Sequence, residues 1–334
     1  MEKYFIGGNT AFGFRSFYDG ELARLDNVIL MKGAPGTGKS TLLKSVGKEC
    51  AERGLDHELW YCSGDPESLD GIYIKELGAA VVDATSPHPC DASLPVIRER
   101  MVDMASALDR EVLLPEKAKI IELIKLKKEC YKCAYDKLKY AFCHFKRAEE
   151  EYESRADVAE IRRMAAAFAL RANCSEDYSD AGRNVFRKAF TSMGEVVFSD
   201  CFVGKRVYEI EGSEEGGRLF VAEVARLLPN SFVLHNPLCP EEAETVITRD
   251  FALTTDAGVF STAADKIVLG AAEKDASDFC EERHAEIDAV VSDAMKDLSS
   301  AKAAHSEIEK IHGKAMDFSV TDKIVRKVKE MLFG

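Results

Sequence analysis

Short apolar runs alternate with amphipathic stretches in the first part of the chain. The apolar runs have the length of buried strands and lie at residues 27–31, 57–62 and 78–83. After the first run, residues 41–48 carry apolar positions at helical spacing, and Gly54 is suited to follow the end of that helix. This alternation predicts a parallel α/β sheet. We also expect a short helix from Ser68 toward Glu76, because Asp65-Pro66-Glu67 is typical of a helix start.

A long helical pattern begins near Pro115. Its apolar positions recur at helical spacing in a charged background, and they include Ile120, Ile121, Ile124, Tyr131, Ala134, Leu138 and Phe142. Neither proline nor glycine occurs between Glu116 and Asn173. We predict one or two long helices that form an antiparallel hairpin, with a break near Ala156-Asp157. Residues 272–333 show the same long, charged and helical character.

The second half of the chain repeats landmarks of the first half in the same order. Phe5, Thr10 and Gly13 recur as Phe186, Thr191 and Gly194, at an offset of 181 residues. The offset then falls gradually to 173 along the later strands, as short deletions would produce. The repeat therefore predicts two tandem α/β modules that arose by duplication.

A phosphate-binding loop follows the first predicted strand. It has the form G-x-x-x-x-G-K-[ST], whose backbone N–H groups cradle the phosphates of a nucleotide at the start of a helix. Lys39 is expected to contact the β- and γ-phosphates, and the Ser40 hydroxyl to ligate Mg²⁺. The sequence thus predicts that the chain binds ATP, or another nucleoside triphosphate, together with Mg²⁺. The predicted binding residues are Gly33, Ala34, Pro35, Gly36, Thr37, Gly38, Lys39, Ser40 and Thr41.

The matching loop of the second module, Gly212–Phe220, has lost the residues that this chemistry needs. Arg218 replaces the lysine and Leu219 replaces the hydroxyl residue, while Glu214 and Glu215 would repel phosphate. We therefore expect one nucleotide per chain. The predicted fold is α/β, with two tandem P-loop NTPase-like parallel-sheet modules that each carry a long helical hairpin. Residues 1–178 form the module with the intact loop and 179–334 form the degenerate one.

Three further residues of the first module are candidates for the chemistry. Asp83 ends an apolar strand as a Walker B acid does, so it is expected to hold Mg²⁺ with Ser40; the alternative is an aspartate that simply begins a loop. The next residue is Ala84, so this strand offers no adjacent base. Asp65 is a candidate to orient water or an acceptor hydroxyl, or else a helix cap. His88 is a candidate contact to the γ-phosphate or base, or else a structural loop residue.

The two helical arms carry opposite charge. Residues 116–147 contain ten Lys/Arg and four Asp/Glu, whereas residues 272–317 contain six Lys/Arg and twelve Asp/Glu. One hypothesis is that the arms pack against each other, or against the arms of a partner in a homodimer. The alternative is that the basic arm binds an anionic partner such as nucleic acid.

The bulk composition bounds the class of protein. The 334 residues are enough for two domains, and 46% hydrophobic with 31% charged residues is typical of a soluble globular chain. The sequence has no apolar stretch long enough to span a membrane, and residues 1–5 lack the pattern of a signal peptide. Ten cysteines without an export signal indicate the reducing cytoplasm. The net charge of −13 argues against extensive nucleic-acid binding.

These motifs together resemble a little-characterised bacterial family of tandem P-loop proteins, described generically as ATPases or nucleotide-kinase-like proteins. The resemblance covers nearly the whole chain, and it implies nucleotide binding but little about substrate. The sequence departs from the family at Arg218 and Leu219, where members commonly keep phosphate-loop character. The residues that carry it are Asn9-Thr10, Gly13, Gly33 to Thr41, Cys62-Ser63, Asp65-Pro66, Ser68-Leu69-Asp70-Gly71, Glu76-Leu77-Gly78, Val82-Asp83-Ala84-Thr85 and Pro87-His88.

Three functions are compatible with these residues. The first is a Mg²⁺-dependent ATPase or ATP-driven switch, in which Arg218, Arg206 or Lys205 of the inactive half reaches the γ-phosphate. The second is a small-molecule or nucleotide kinase with its acceptor near Asp65, Asp70 and His88. The third is a scaffold that uses ATP as a structural ligand without hydrolysing it.

Overall fold

The computed structural model describes residues 1–86, 91–172, 178–256, 265–273 and 281–334. The elements of the first half are β1 (Glu2–Tyr4), β2 (Gly7–Thr10), β3 (Gly13–Ser16), α1 (Tyr18–Ala23), β4 (Asn27–Lys32), α2 (Lys39–Glu52), β5 (His57–Tyr61), β6 (Leu69–Ile74), β7 (Ala79–Asp83), β8 (Glu99–Asp103), α3 (Arg110–Leu113), α4 (Lys117–Glu153) and α5 (Val158–Arg171). Six of these strands form one sheet, in the order β1-β5-β6-β7-β4-β8.

The first sheet is mostly parallel, as the sequence predicts, with one reversed strand. β4 has parallel neighbours in β7 and β8, whereas β6 runs antiparallel to β5 and β7. The helix expected from Ser68 toward Glu76 is therefore wrong, since Leu69–Ile74 is strand β6. Pairing with β5 and β7 on both sides holds this segment as a strand, and a Cβ on Gly71 would lie 2.7 Å from the Trp60 ring, so the pairing needs glycine there. Asp65-Pro66-Glu67, which was expected to begin this helix, instead forms a turn before β6.

The second half builds a sheet of the same design. Its elements are β9 (Asn184–Val185), β10 (Lys188–Thr191), β11 (Gly194–Val197), β12 (Arg206–Glu211), α6 (Glu214–Leu227), β13 (Phe232–His235), β14 (Ala243–Ile247), β15 (Phe251–Thr254), β16 (Asp265–Val268), α7 (Glu281–Lys314) and α8 (Phe318–Phe333). The strand order β9-β13-β14-β15-β12-β16 reproduces that of the first sheet position by position, and β14 is again the reversed strand.

The small hairpins β2–β3 and β10–β11 also match in detail. In each, a buried threonine hydroxyl donates to a glycine carbonyl, Thr10 to Gly13 at 2.8 Å and Thr191 to Gly194 at 2.7 Å. Both glycines have φ in the left-handed region, at +87° and +104°. The shared strand order and hairpin geometry are the outcome that duplication predicts.

The long helices of the two halves pair with each other. α4 breaks before α5 at Asp157, close to the predicted position, but the predicted hairpin within each half is wrong because α4 packs along α7. Lys137 of α4 forms ion pairs with Asp293 and Asp297 of α7, at 2.6 Å and 2.8 Å. The hypothesis that the oppositely charged arms pack against each other within the chain is confirmed.

The last helix of each half packs into the hydrophobic core of the other half. α5 belongs to the core of the second module, where Ile161, Ala165 and Phe168 pack with Phe220 of α6. α8 belongs to the core of the first module, where its residues Val328 and Leu332 pack with strand and α2 residues. The packing of these helices therefore crosses the predicted module boundary near residue 178.

The two modules also share a buried polar contact. The Arg183 guanidinium is fully buried and pairs with Glu58 and Glu21 of the first half, at 2.7 Å each. Phe5 and Phe186 form a backbone bridge beside this contact, with N–H to O distances of 2.9 Å in both directions. These contacts fix the position of one sheet relative to the other.

Candidate functional site

The glycine-rich loop leads from β4 into α2. Gly36 and Gly38 have φ of +79° and +85°, which only glycine adopts readily, and α2 begins at Lys39. A Cβ on Gly36 would lie 2.9 Å from the Glu309 carbonyl of α7, so this glycine also permits a close approach. Thr41 is exposed in the first turn of α2. The loop thus places the first amides of α2 at its mouth, as a phosphate-binding loop does.

Lys39 folds back over its own loop. Its ammonium donates to the carbonyls of Gly33 and Ala34, at 2.8 Å and 3.0 Å, and lies 3.6 Å from Asp83. The Thr37 hydroxyl donates to the Ala34 carbonyl at 2.8 Å. The lysine therefore stands at the centre of the loop with its charge balanced by carbonyl oxygens and one carboxylate.

Asp83 lies close to this lysine, and a second carboxylate, that of Asp70, lies near enough to Asp83 for its charge to act on it. Asp83 ends β7 beside β4, and Asp70 is the extra residue of a β-bulge, because Trp60 pairs with Gly71 and Tyr61 pairs with Leu69. Bulges re-aim side chains next to functional sites. Burial raises the pKa of Asp83, Lys39 opposes this shift, and the charge of Asp70 adds to it. The structure thus brings Lys39 to Asp83 and places Asp70 on the Asp83 side of the site.

Ser40 and Thr85 complete the inner layer of the site. The Ser40 hydroxyl accepts from the Leu69 amide at 3.0 Å, one residue before Asp70. Thr85, which sequence reasoning did not single out as a site residue, donates its hydroxyl to the Gly33 carbonyl at 3.1 Å. Its amide donates to Asp83 at 2.8 Å. Within the described ranges no three His, Cys, Asp or Glu side chains form a metal-binding group.

Asp65 is engaged by other groups and does not stand as a free base. It accepts from Ser68 at 2.7 Å and pairs with Lys302 of α7 at 2.5 Å. Burial acts to raise the pKa of Asp65, but the hydrogen bonds from Lys302 and Ser68 outweigh it and the pKa is lowered. His88 lies outside the described residues.

Helix α7 closes over the loop, and no pattern in the sequence signals this. His312 donates its Nδ1 proton to the Pro35 carbonyl at 2.7 Å, and Glu309 lies against Gly36. Thr321 of α8 lies within 3.5 Å of a Cβ placed on Gly38. The second half therefore does reach the first loop, but through helices of its arm.

The cations that sequence reasoning proposed for this role lie elsewhere. Arg218 is buried in the second module, 2.8 Å from Glu214, with its guanidinium 4.0 Å from the centre of the Phe145 ring. Arg206 pairs with Asp265 at 2.5 Å, and Lys205 donates to carbonyls of its own module. The expectation that one of these cations reaches the γ-phosphate is wrong.

The second loop is filled by the protein's own carboxylate. Ser213 caps α6, and the buried Glu273 accepts from the Ser213 amide at 3.1 Å, the Ser213 hydroxyl at 2.6 Å and the Tyr152 hydroxyl at 2.7 Å. A Cβ on Gly212 or Gly216 would collide with this carboxylate, at 2.3 Å and 2.1 Å. Glu273 therefore occupies the anion position at the start of α6.

The second module also has an acidic residue in a β-bulge, and a lysine pairs with it. Glu244 is the extra residue of the β13–β14 bulge, at the position that Asp70 takes in the first sheet. Lys188 of β10 pairs with Glu244 at 2.5 Å. Because Glu273 already occupies the start of α6, the geometry of this module agrees with the predicted loss of its nucleotide site.

Across the described ranges, the helices are all too short or too polar to cross a lipid bilayer.

Comparison with protein-family models, with curated proteins and with solved structures finds no match to this chain.

Proposed function

We propose that this chain binds one Mg²⁺–nucleoside triphosphate, with ATP as the first candidate, at residues 33–41 and acts as an ATPase or ATP-driven switch. The observation that carries the proposal is the loop between β4 and α2, with left-handed Gly36 and Gly38 and with Lys39 3.6 Å from Asp83. Amides at a helix start together with a lysine attract phosphate. One nucleotide per chain follows from Glu273, which fills the second loop.

The donor set around the loop suits Mg²⁺. Ser40 and Asp83 would hold the ion, and the nearby carboxylate of Asp70 adds to the negative charge that favours a hard cation. When bound, Mg²⁺ would neutralise charge on the phosphate oxygens. Lys39 would exchange its bonds to the Gly33 and Ala34 carbonyls for bonds to the β- and γ-phosphates.

Asp70 is our candidate for the group that orients the attacking water. Ala84 leaves no base after Asp83, and Lys302 and Ser68 already engage Asp65. Asp70 is buried and follows the residue whose amide bonds to Ser40. A carboxylate there accepts a proton from an acceptor hydroxyl as readily as from water, so a small-molecule kinase is the second candidate function.

Calorimetric titration of the full chain with Mg²⁺–ATPγS tests the binding site. We expect one site per chain in the wild type and an affinity loss of at least about tenfold in Lys39→Ala, since a charge-assisted hydrogen bond contributes roughly 1.5–3 kcal/mol. Lys48→Ala is the matched control, because Lys48 is an exposed lysine on the same helix. Two sites in the wild type, or full affinity in Lys39→Ala, would contradict the proposal.

Turnover separates the candidate functions. Phosphate release without any added acceptor, lost in Asp70→Asn, supports the ATPase or switch. ATP consumption that rises well above the basal rate only with a metabolite supports the kinase.

A further inference from the structure

α7 covers the loop at residues 33–41, and α4, which packs along α7, covers the connection between β5 and β6. From the α4 side, a Cβ on Gly64 would lie 2.7 Å from the Tyr131 hydroxyl. From the α7 side, Lys302 pairs with Asp65, and Glu309 lies against Gly36. His305 is one helical turn before Glu309, so the α4 residue that contacts His305 lies near the loop.

Lys127 and His305 meet at this interface. Lys127 is one turn from Tyr131 on α4, and His305 lies between Lys302 and Glu309 on α7. Their side chains are in contact, with Lys127 Nζ 3.1 Å from His305 Nδ1. The Lys127 ammonium is a donor to His305 Nδ1, and Nε2 on the other side of the ring lies 3.6 Å from Glu309.

The Lys127 ammonium forms no ion pair within the described part of the chain. No described carboxylate lies within the 4.0 Å of an ion pair from its ammonium, whereas the neighbouring Lys302 pairs with Asp65 at 2.5 Å and Glu309 at 3.6 Å. Lys127 is half-buried, and burial lowers its pKa; Cys62 and Glu309 oppose this shift, whereas the charges of Lys39 and Lys302 add to it. A half-buried cation beside two other cations is a position that an anion would stabilise.

We propose that Lys127 binds the terminal phosphate of the nucleoside triphosphate held by residues 33–40. This inference rests on the proposed function, since it assigns a further ligand to the same site. The cation comes from the arm of the first half and is supported by His305 of the second half. A diphosphate, which lacks the third phosphate, does not reach it. Lys127 therefore makes the site respond to the difference between triphosphate and diphosphate.

The test measures nucleotide preference by titrating the full chain with Mg²⁺–ATPγS and with Mg²⁺–ADP. Lys127→Met keeps most of the aliphatic stem and removes the charge, and Lys128→Met is the control, because Lys128 is the exposed next residue on α4. We expect Lys127→Met to lower ATPγS affinity by about 10- to 100-fold and to leave ADP affinity within about twofold. Lys127→Arg keeps the charge and should keep the preference, which guards against a general packing defect.

The outcomes separate the two proposals. Wild-type protein that binds neither nucleotide overturns the proposed function and this inference with it. Wild-type protein that binds both nucleotides, with the same ATPγS-to-ADP affinity ratio in Lys127→Met, overturns the role of Lys127 alone. A ratio that falls in Lys127→Met and is unchanged in Lys128→Met supports the role.

Discussion

The carboxylate of Glu273 can be tested as the internal anion of the second loop. The substitution Glu273→Gln removes its charge and keeps its shape. Three donors form hydrogen bonds to this carboxylate: the amide and hydroxyl of Ser213 and the hydroxyl of Tyr152. A hydrogen bond to a charged group contributes about 1.5–3 kcal/mol against about 0.5–1.5 kcal/mol for a neutral one, so losing the charge weakens three bonds by about 1 kcal/mol each.

Two other effects adjust this figure. The loss of favourable interaction with the N-terminus of α6 adds about 0.3–1 kcal/mol. The neutral side chain is cheaper to bury, which offsets part of the loss, because Glu273 is only 4% exposed. We therefore expect Glu273→Gln to lower the free energy of unfolding by about 2–3 kcal/mol.

Equilibrium unfolding in urea, followed by far-UV circular dichroism, measures the effect. Trp60, the only tryptophan, lies in the first sheet, so its fluorescence separates the first module from the second. The control is Glu211→Gln, the same chemical change at a half-exposed glutamate that pairs with Lys266 at 2.9 Å, and it should cost at most about 0.5 kcal/mol. If Glu273→Gln is no more destabilising than this control, Glu273 is not the anion of the second loop.

Two further predictions concern ionised side chains away from the first loop. Hydrogen bonding to Glu215 raises the pKa of His284 above its ordinary 6.5. Its contribution to stability is therefore full below pH 6.5 and is lost as the pH rises through the raised pKa. His284→Gln should flatten this decline of the urea midpoint above pH 6.5, and an unchanged decline would contradict the prediction. Arg183→Gln leaves the buried Glu58 with only Lys75 at 3.7 Å and Glu21 with only Arg24 at 3.2 Å. It should cost about 3 kcal/mol by Trp60 fluorescence in urea, whereas a loss below about 1 kcal/mol would contradict it.

Local signals were sufficient to predict the first loop and its immediate partners. Residues 33–40 form the expected turn into a helix because glycine, lysine and serine act there through backbone geometry and short-range contacts. Asp83 was placed correctly because it ends an apolar strand. Asp70 was only one of several acidic candidates, because its position depends on a bulge, and a bulge is set by pairing with a strand distant in the sequence.

Contacts between distant segments could not be read from periodicity. The expected helix from Ser68 toward Glu76 is wrong because Leu69–Ile74 pairs with β5 and β7 in the sheet, and a helical signal does not report such pairing. Apolar spacing likewise shows that α5 and α8 have a face to bury, but not which surface covers it. For the same reason the sequence did not show that α7 closes over the first loop, and the cation from the second half was sought at Arg218.

The exchanged helix α8 has a consequence for how the protein is made. Its residues Val328 and Leu332 cover an apolar surface of the first sheet, whose last strand ends at Asp103. At about 5–20 residues per second, a ribosome needs roughly 10–50 s to make the residues from that strand to the end of α8. Throughout this interval the first module is exposed and incomplete. The half that leaves the ribosome first is therefore the half that finishes folding last.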